Sequence, residues 1–293
     1  MPIEANLSGT SERRWLEAVI EYYDQTNFDF EKIWHRGAGL AYHFGYYGGD
    51  IQKHKYALTN ANLVLASIAR IEHGDRVLDA GCGLGGSSFW LATHRCTDVV
   101  GITLVQGHVL AAREIAQQRS LDDRVRFYEA DYTNTSFREA SFDVVWALES
   151  VCHAVSKGAF YREAARLLRP GGRLVVAEFI RVSRDVRTDT ESMLREWLDG
   201  WSIPDIDTAD EHLAAAKSAG FADVQLDDYT PTTRRSLHRL YKLARIARPI
   251  DQVLFSLGLR SAAQHGNVIG SLRQYQLVQK GAWFYGILSG TKQ

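Results

Sequence analysis

The sequence has few of the features that mark disulfide scaffolds, membrane proteins or nucleic-acid-binding proteins. Its 293 residues include three cysteines, Cys82, Cys96 and Cys152, which give neither an even disulfide framework nor a C-x-x-C spacing. The net charge of −1 provides no overall positive field for nucleic acid. No apolar run approaches the roughly 20 residues that span a bilayer, and the first residues lack a signal-peptide pattern. We therefore expect a cytoplasmic protein that binds no nucleic acid and makes no stable membrane insertion.

Short β-branched runs alternate with amphipathic segments between about residues 74 and 180. The runs that favour strands are 76–81, 98–103, 125–131, 142–149 and 173–179, followed later by 223–229 and 283–290. Such alternation is typical of βαβ units, in which helices cover both faces of a parallel sheet. We expect an α/β protein with a Rossmann-like, doubly wound, mostly parallel seven-stranded sheet and a helical cap.

The remaining stretches are predicted to surround that sheet. Residues 1–73 carry helical spacing on either side of an aromatic, glycine-rich stretch, and we interpret them as an N-terminal cap segment. A second unit would cover residues 74–293, with cap insertions at about 181–222 and 230–282. The second insertion reads mostly helical and is too long for a hairpin loop.

A glycine-rich stretch, DAGCGLGGSS at 79–88, directly follows RVL and includes the end of the first predicted strand. Ligands bind beyond the carboxyl ends of parallel strands, and glycines there let the backbone approach a ligand closely. Gly81, Gly83 and Gly86 satisfy G-x-G-x-x-G, which is a weak signal that dinucleotide-binding folds share. The acid expected about 20 residues further on is missing, because the second strand ends at Thr103. This absence disfavours a dinucleotide, and a tight turn alone is the remaining alternative.

Glu149 stands where the fourth predicted strand ends, and Cys152 and His153 follow within five residues. A carboxylate at a strand end can stabilise a developing cation and can act as a general base. His153 could orient Glu149, accept a proton itself, or cap the following helix. The alternative for each is a polar residue satisfied by a strand–helix junction.

Three stretches, VLDAGCGLGGSS (77–88), EADYTNTSF…SFDVVWALESVCHA (129–154) and RLLRPGGRLVVAEF (166–179), resemble successive motifs of class I methyltransferases that use S-adenosylmethionine (SAM). Within that class, GLAYHFGYY (39–47) and LESVCHA (148–154) are similar to stretches of the sterol, tocopherol and prenyl C-methyltransferases. The resemblance implies that 74–293 is a SAM-binding methyltransferase domain, and that the reaction is methyl transfer to a carbon of an isoprenoid acceptor of secondary metabolism.

The resemblance also implies which residues bind SAM. Asp79 would lie near its ammonium group, Gly81, Gly83 and Gly85 near its methionine part, Thr103 or Gln106 at the ribose, Asp131 and Tyr132 at the adenine, and Tyr22 and Tyr23 at the entrance. Asp131 has an alternative role as a cap or turn former.

The acceptor itself is less constrained. Aromatic faces stabilise cations, so Trp34, Phe44 and Tyr46 are candidate substrate contacts, with ordinary helix packing as the alternative. Arg181 is a candidate for binding a diphosphate, and Mg²⁺ would be needed only for such an acceptor. The basic stretch 232–249 fits a solvated helix, a diphosphate site or contact with an anionic membrane.

We therefore expect Glu149 and His153 to catalyse SAM-dependent methylation of a small apolar acceptor through a carbocation-like intermediate. No metal-ligand spacing is visible. An N- or O-methyltransferase, and a dinucleotide-binding or non-catalytic nucleotide-binding protein, are the alternatives. The aromatic N-terminal arm is compatible with exchange between subunits of a homo-oligomer.

Overall fold

The computed structural model describes residues 10–29 and 40–293. Seven strands form one sheet in the order β3-β2-β1-β4-β5-β7-β6. The strands are β1 Arg76–Ala80, β2 Asp98–Thr103, β3 Val125–Glu129, β4 Phe142–Leu148, β5 Leu168–Arg181, β6 Phe221–Asp228 and β7 Trp283–Lys292. Only β7 runs antiparallel to its neighbours, β5 and β6. The prediction of a mostly parallel, seven-stranded sheet is confirmed.

Helices flank the sheet on both faces. They are α1 Thr10–Asp29, α2 His54–Ile68, α3 Gly86–Arg95, α4 Gln106–Gln118, α5 Lys157–Leu167, α6 Thr188–Gly200, α7 Ala209–Ser218, α8 Thr230–Ser256 and α9 Ala262–Gln279, with a 3₁₀ turn at Val151–His153. Within the described ranges, no helix is both long and apolar enough to cross a bilayer.

Two hydrophobic cores occupy the two faces of the sheet. Val77 of β1 belongs to the core under α2, α3 and α4, whereas its neighbour Leu78 belongs to the core under α5 and α7. Successive strand residues point to opposite faces, so a strand covered on both sides must be apolar at nearly every position. This requirement explains the apolar run at residues 144–148 of β4.

Strand β5 starts earlier than the predicted 173. Leu168 pairs with Phe142, and the pairing resumes only at Arg173 with Val144, so Arg169–Gly172 bulge out of the ladder. Gly171 has φ +76, a conformation that glycine adopts without strain. The Pro-Gly-Gly turn is therefore accommodated inside the strand as a bulge.

The insertions predicted at about 181–222 and 230–282 contain α6 and α7, and α8 and α9. Helix α9 packs against α1, α6 and α8. These helices surround the second of the two cavities described below.

Candidate active site

The first of two adjoining cavities, the glycine-loop cavity, lies beyond the carboxyl ends of β1, β2 and β4. Strands β1 and β4 are neighbours although β2 and β3 intervene in sequence, which makes this point the topological switch of the sheet. Asp79 near the end of β1, Gly81 and Gly83 after β1, and Thr103 at the end of β2 line the cavity.

The backbone at Gly81 can be formed only by glycine. Its φ is +85, and a Cβ there would overlap the side chain of Ser150. Ser150 is held in turn, because its Oγ donates a 2.6 Å hydrogen bond to the carbonyl of Ala80. The loop is therefore a preformed cradle of backbone without side chains, suited to close approach by a ligand.

Asp79 supplies a carboxyl group to this cradle. It accepts a 2.6 Å hydrogen bond from Ser88 Oγ at the start of α3. Burial raises the pKa of Asp79 to about 6, and the bonds from Ser88 partly offset that effect. A cation bound beside Asp79 would favour its ionised form, which gives the cradle a preference for a positively charged ligand group.

The predicted cofactor residues divide into two sets. Those that line the glycine-loop cavity are Asp79, Gly81, Gly83, Thr103, Tyr132 and Tyr23. Those that do not are Gly85, Gln106, Asp131 and Tyr22, of which Tyr22 lines the second cavity. Asp131 accepts bonds from Thr133 N–H and Oγ1, the geometry of a turn former. A role for this second set in cofactor binding remains a prediction.

His108 lines the same cavity, and the sequence reasoning missed it. Its ring lies 5.7 Å from that of Tyr23 and 5.4 Å from that of Tyr42, measured between centroids. Burial lowers the pKa of His108 to about 4, so the ring is neutral at pH 7. Its position in the first turn of the helix after β2, at the ligand-binding edge, was the signal that could have identified it.

The second cavity, which we call the aromatic cavity, adjoins the first. Phe44, Phe179 and Trp201 line it together with aliphatic residues of α8 and α9, and no arginine or lysine of the described residues does. It shares Tyr23, Tyr42, His43, Glu149 and His153 with the glycine-loop cavity. Both predicted catalytic residues therefore lie where the two cavities meet.

The carboxyl group of Glu149 is fixed by residues distant in sequence. Its Oε1 accepts a 2.8 Å bond from Phe44 N–H and a 2.7 Å bond from the Tyr285 hydroxyl. Tyr46 donates in turn to the Tyr285 hydroxyl at 3.2 Å. The second oxygen, Oε2, has no hydrogen-bond partner among the described residues. Burial raises the pKa of Glu149 to about 8, although the two bonds to Oε1 lower it.

The backbone of Glu149 adopts φ +52, an uncommon conformation for a residue with a side chain. The strand ladder holds it there, because its N–H donates to Ala177 of β5 at 2.9 Å. Non-glycine residues in this region cost roughly 1 kcal/mol or more, and such costs concentrate at functional sites.

His153 is a neutral base in this arrangement. Its Nδ1 lies 2.9 Å from the carbonyl of Ser202 and must donate to it, which leaves a lone pair on Nε2. The Tyr23 hydroxyl, 2.9 Å from Nε2, donates to that lone pair. Burial lowers the pKa of His153 to about 4, so the ring stays neutral at pH 7.

The residues predicted to contact the substrate do not all line a cavity. Phe44 lines the aromatic cavity, whereas Tyr46 is fully buried and acts on the site only through Tyr285. Arg181 lines neither cavity, because its buried guanidinium pairs with Glu191 and Asp205, so this geometry does not support a diphosphate role. Trp34 lies outside the described residues.

No cluster of three or more histidine, cysteine, aspartate or glutamate side chains suited to a metal ion occurs in the part of the chain that the structure describes. The cradle, the carboxyl of Asp79 and the rings around it instead fit an organic cation.

Comparisons with known proteins agree with this geometry. A family model described as a methyltransferase domain matches residues 78–176. The 27-O-demethylrifamycin SV methyltransferase of Amycolatopsis mediterranei is 34% identical over 73% of this chain and 77% of its own. The sterol 24-C-methyltransferase ERG6 of Saccharomyces cerevisiae is 30% identical over 72% of this chain and 55% of its own.

A crystal structure of geranyl diphosphate C-methyltransferase from Streptomyces coelicolor, in complex with Mg²⁺, geranyl-S-thiolodiphosphate and S-adenosyl-L-homocysteine, shares the fold. Its TM-score is 0.74 at 18% identity, over 95% of this chain and 98% of that one. The family match covers the β1 loop and β4, which build the site. The chain belongs to the SAM-dependent methyltransferases, and SAM is its cofactor.

Proposed function

We propose that the protein transfers a methyl group to a carbon atom of a neutral, largely apolar, isoprenoid-like acceptor. The observation that carries this proposal is the position of Glu149, a buried carboxyl group where the glycine-loop cavity meets a cavity lined by rings and aliphatic side chains. That position suits a reaction in which positive charge moves from the cofactor to a carbon atom.

The glycine-loop cavity would hold SAM, which supplies a methyl group on a positively charged sulfur. Gly81 and Gly83 offer backbone without a Cβ to its methionine part, and Asp79 offers a carboxyl group to its ammonium. Tyr132 and His108 add ring surface to the same cavity. Tyr23, which lines both cavities, would bound the space in which the methyl group is transferred.

The aromatic cavity would hold the acceptor. Its apolar lining favours hydrocarbon by roughly 25 cal/mol for each Å² removed from water. The absence of arginine and lysine from its described lining argues against a diphosphate and hence against a need for Mg²⁺. Phe44, Phe179 and Trp201 present aromatic surface, each ring stabilising a cation by roughly 0.5–2 kcal/mol.

Glu149 and His153 would stabilise the positive charge that develops on the acceptor and remove a proton from it. The π pair of an alkene would form the new bond to the methyl carbon while the bond between that carbon and sulfur breaks, which leaves neutral S-adenosylhomocysteine and a cationic carbon on the acceptor. The Glu149 carboxylate stabilises that charge, and the cation in turn favours the ionised form of Glu149. Loss of a proton to Glu149 would restore the double bond, and so would its transfer to the Tyr23 hydroxyl while that hydroxyl passes its own proton to His153 Nε2.

A second candidate is methylation of a hydroxyl group on a similar acceptor. The neutral His153 favours it, because the Tyr23 hydroxyl donates to Nε2 and can relay the proton of an acceptor hydroxyl group to that nitrogen. The relative from Amycolatopsis is named as an O-demethylrifamycin methyltransferase, in line with this alternative. In this second candidate reaction, Glu149 would help to orient the hydroxyl group of the acceptor.

The same reasoning extends to domain organisation. We propose that the N-terminal 1–73 and the insertions at about 181–222 and 230–282 act together as the cap of the 74–293 methyltransferase domain. Helices α1, α8 and α9 contribute Tyr22, Tyr23, Leu240 and Val268 to the aromatic cavity, which supports this division.

Product analysis tests the proposal. Purified protein would be incubated with trideuteromethyl-SAM and, separately, with sterols, prenylated quinols, prenylated indoles, hydroxylated macrolides and prenyl diphosphates. We expect the label on a carbon atom of a neutral apolar acceptor, located by mass spectrometry and NMR. Label found only on oxygen would support the second candidate, and turnover of diphosphates alone would refute the neutral acceptor.

A further inference from the structure

The C-terminal part of α8 and the turn after it carry an unusual concentration of exposed apolar side chains. Six of the eleven large apolar side chains exposed in the described part of the chain fall between residues 246 and 259. We call these six the apolar end of α8, namely Ile246, Ile250, Val253, Phe255, Leu257 and Leu259. Such a concentration of exposed apolar side chains in one short segment is typical of a site of interaction with a protein or a membrane.

Positive charge surrounds the apolar end. Helix α8 carries six arginine and lysine residues in a protein whose net charge is −1. Its one acidic residue, Asp251, is buried and paired with Arg260 and His265. Five of the cations are exposed and form what we call the basic flank, comprising Arg234, Arg235, Lys242, Arg245 and Arg248. The exposed surface of α8 is therefore cationic without a compensating acid of its own.

Helix α8 has one face exposed to solvent and another that lines the aromatic cavity. Positions 235, 239, 242, 246, 250, 253 and 257 are spaced by three or four residues and share one stripe, with cations at its start and apolar residues at its end. Leu240, Leu243, Ala244 and Ala247 lie on another side of the helix and line the aromatic cavity. Leu243 also borders an open groove that includes Arg235 and Lys242. The two faces therefore adjoin along the helix at Leu243.

We propose that this exposed face of α8 docks on the surface of an anionic lipid bilayer, with the apolar end entering the boundary between headgroups and acyl chains. The basic flank would lie against lipid phosphates, and each such cation adds about 1 kcal/mol of attraction in known cases. This inference rests on the proposed function, because an apolar acceptor would reside in the bilayer. Docking then puts the lipid contact and part of the acceptor-cavity lining on the same helix.

Charge decides between a bilayer and a second copy of the chain. In a two-fold dimer through this face, the basic flank of one copy would meet that of the other, or lie beside it. Like charges brought together in an interface oppose association. An anionic bilayer instead complements both features of the face at once.

Vesicle co-sedimentation of the full-length protein tests the proposal without any turnover. Vesicles of phosphatidylcholine with 30% phosphatidylglycerol would be compared with pure phosphatidylcholine. We expect binding to the anionic vesicles that is about tenfold tighter or more, and that weakens in 0.5 M salt. Because no acceptor is present, this result does not depend on which molecule the enzyme methylates.

Two variants separate the contributions. The triple change Ile246→Ser, Ile250→Ser, Leu257→Ser should weaken binding about tenfold or more, and so should Lys242→Gln, Arg245→Gln, Arg248→Gln. The matched control is Leu63→Ser, Leu110→Ser, Val155→Ser, which alters three exposed apolar residues elsewhere and should bind as the unaltered protein does. The SAM affinity of all three variants should be unchanged, which shows that they are folded.

Three results would overturn the proposal. One is equal binding to both kinds of vesicle, or binding to neither. Another is equal loss in the α8 variants and the control. The last is an oligomer that dissociates, by sedimentation velocity, in the triple serine variant of α8 while vesicle binding is unchanged, since the face would then be a contact between copies.

Discussion

Replacing Glu149 with glutamine would remove one negative charge and leave the shape of the site intact. The glutamine oxygen can still accept the 2.8 Å bond from Phe44 N–H and the 2.7 Å bond from the Tyr285 hydroxyl. The φ of +52 is equally available to both side chains. Any large change in rate therefore reports on charge or on proton transfer, not on packing.

The expected size follows from Coulomb's law. Unit charges about 5 Å apart, with an effective dielectric constant of about 20, attract by about 3 kcal/mol. Loss of that stabilisation in the transition state corresponds to a rate about 10²-fold lower. We expect kcat of Glu149→Gln to fall by about that factor at saturating SAM. SAM affinity should also fall relative to S-adenosylhomocysteine, because only SAM carries the positive sulfur.

The pH dependence of kcat/KM provides a second, independent test of the role of Glu149. Burial raises the pKa of Glu149 to about 8, so the carboxylate form of the free enzyme increases as the pH rises from 6 to 8. If that form is the active one, kcat/KM of the unaltered enzyme should rise about tenfold per pH unit in this range. The rise should be absent in Glu149→Gln, which has no carboxyl group to titrate.

The assay follows transfer of labelled methyl from SAM to the acceptor identified by product analysis, between pH 6 and 9. Glu178→Gln is the matched control. Glu178 is a buried carboxyl on the neighbouring strand β5 that lines neither cavity, and burial raises its pKa to about 7. That variant should keep the rise with pH. Full turnover in Glu149→Gln, or an unchanged pH profile, would refute the assignment of Glu149.

Three further changes test other parts of the structure. Gly81→Ala would place a Cβ against Ser150 at positive φ, and we expect calorimetry to show SAM affinity about tenfold lower; unaltered affinity would contradict the cradle. Ala244→Phe would fill part of the aromatic cavity. It should raise the KM for the acceptor about tenfold while the Kd for SAM stays constant. An equal rise in the KM for the acceptor and the Kd for SAM would contradict the division into two cavities. Lys157→Met would leave three backbone carbonyls without the ammonium that donates to them at 2.7–3.1 Å, and should lower the free energy of unfolding by about 2–4 kcal/mol; an unshifted urea midpoint would contradict this.

Much of the sheet could be predicted from local patterns. The β-branched runs located all seven strands to within a few residues, because a strand covered on both faces must be apolar along its length. The same local reasoning failed at the start of β5, which was predicted at residue 173 and lies at Leu168. The ladder begins there because β4 offers a partner to Leu168, and no pattern within β5 contains that information.

Candidate residues could be named from the sequence, but their roles could not be separated. Tyr22 and Tyr23 are adjacent, yet only Tyr23 lines both cavities and donates to His153. Arg181 sits near the active edge of the sheet, yet carboxylates of α6 and the following loop engage it. Where a side chain points and which groups it contacts depend on the element that packs opposite it. The pattern of a single sequence does not specify that element.

Periodicity and glycine spacing are properties of a few consecutive residues. The sequence alone was therefore enough to indicate the class of fold and the edge of the sheet that binds ligand. It also indicated the acid at the end of β4. The state of that acid is a different matter. Phe44 and Tyr285 lie 105 and 136 positions away from Glu149, and Ser202 lies 49 positions from His153. Folding alone brings these groups within hydrogen-bond distance and removes water around them. That combination of contact and burial sets the raised pKa of Glu149 and the neutral form of His153, on which the chemistry depends.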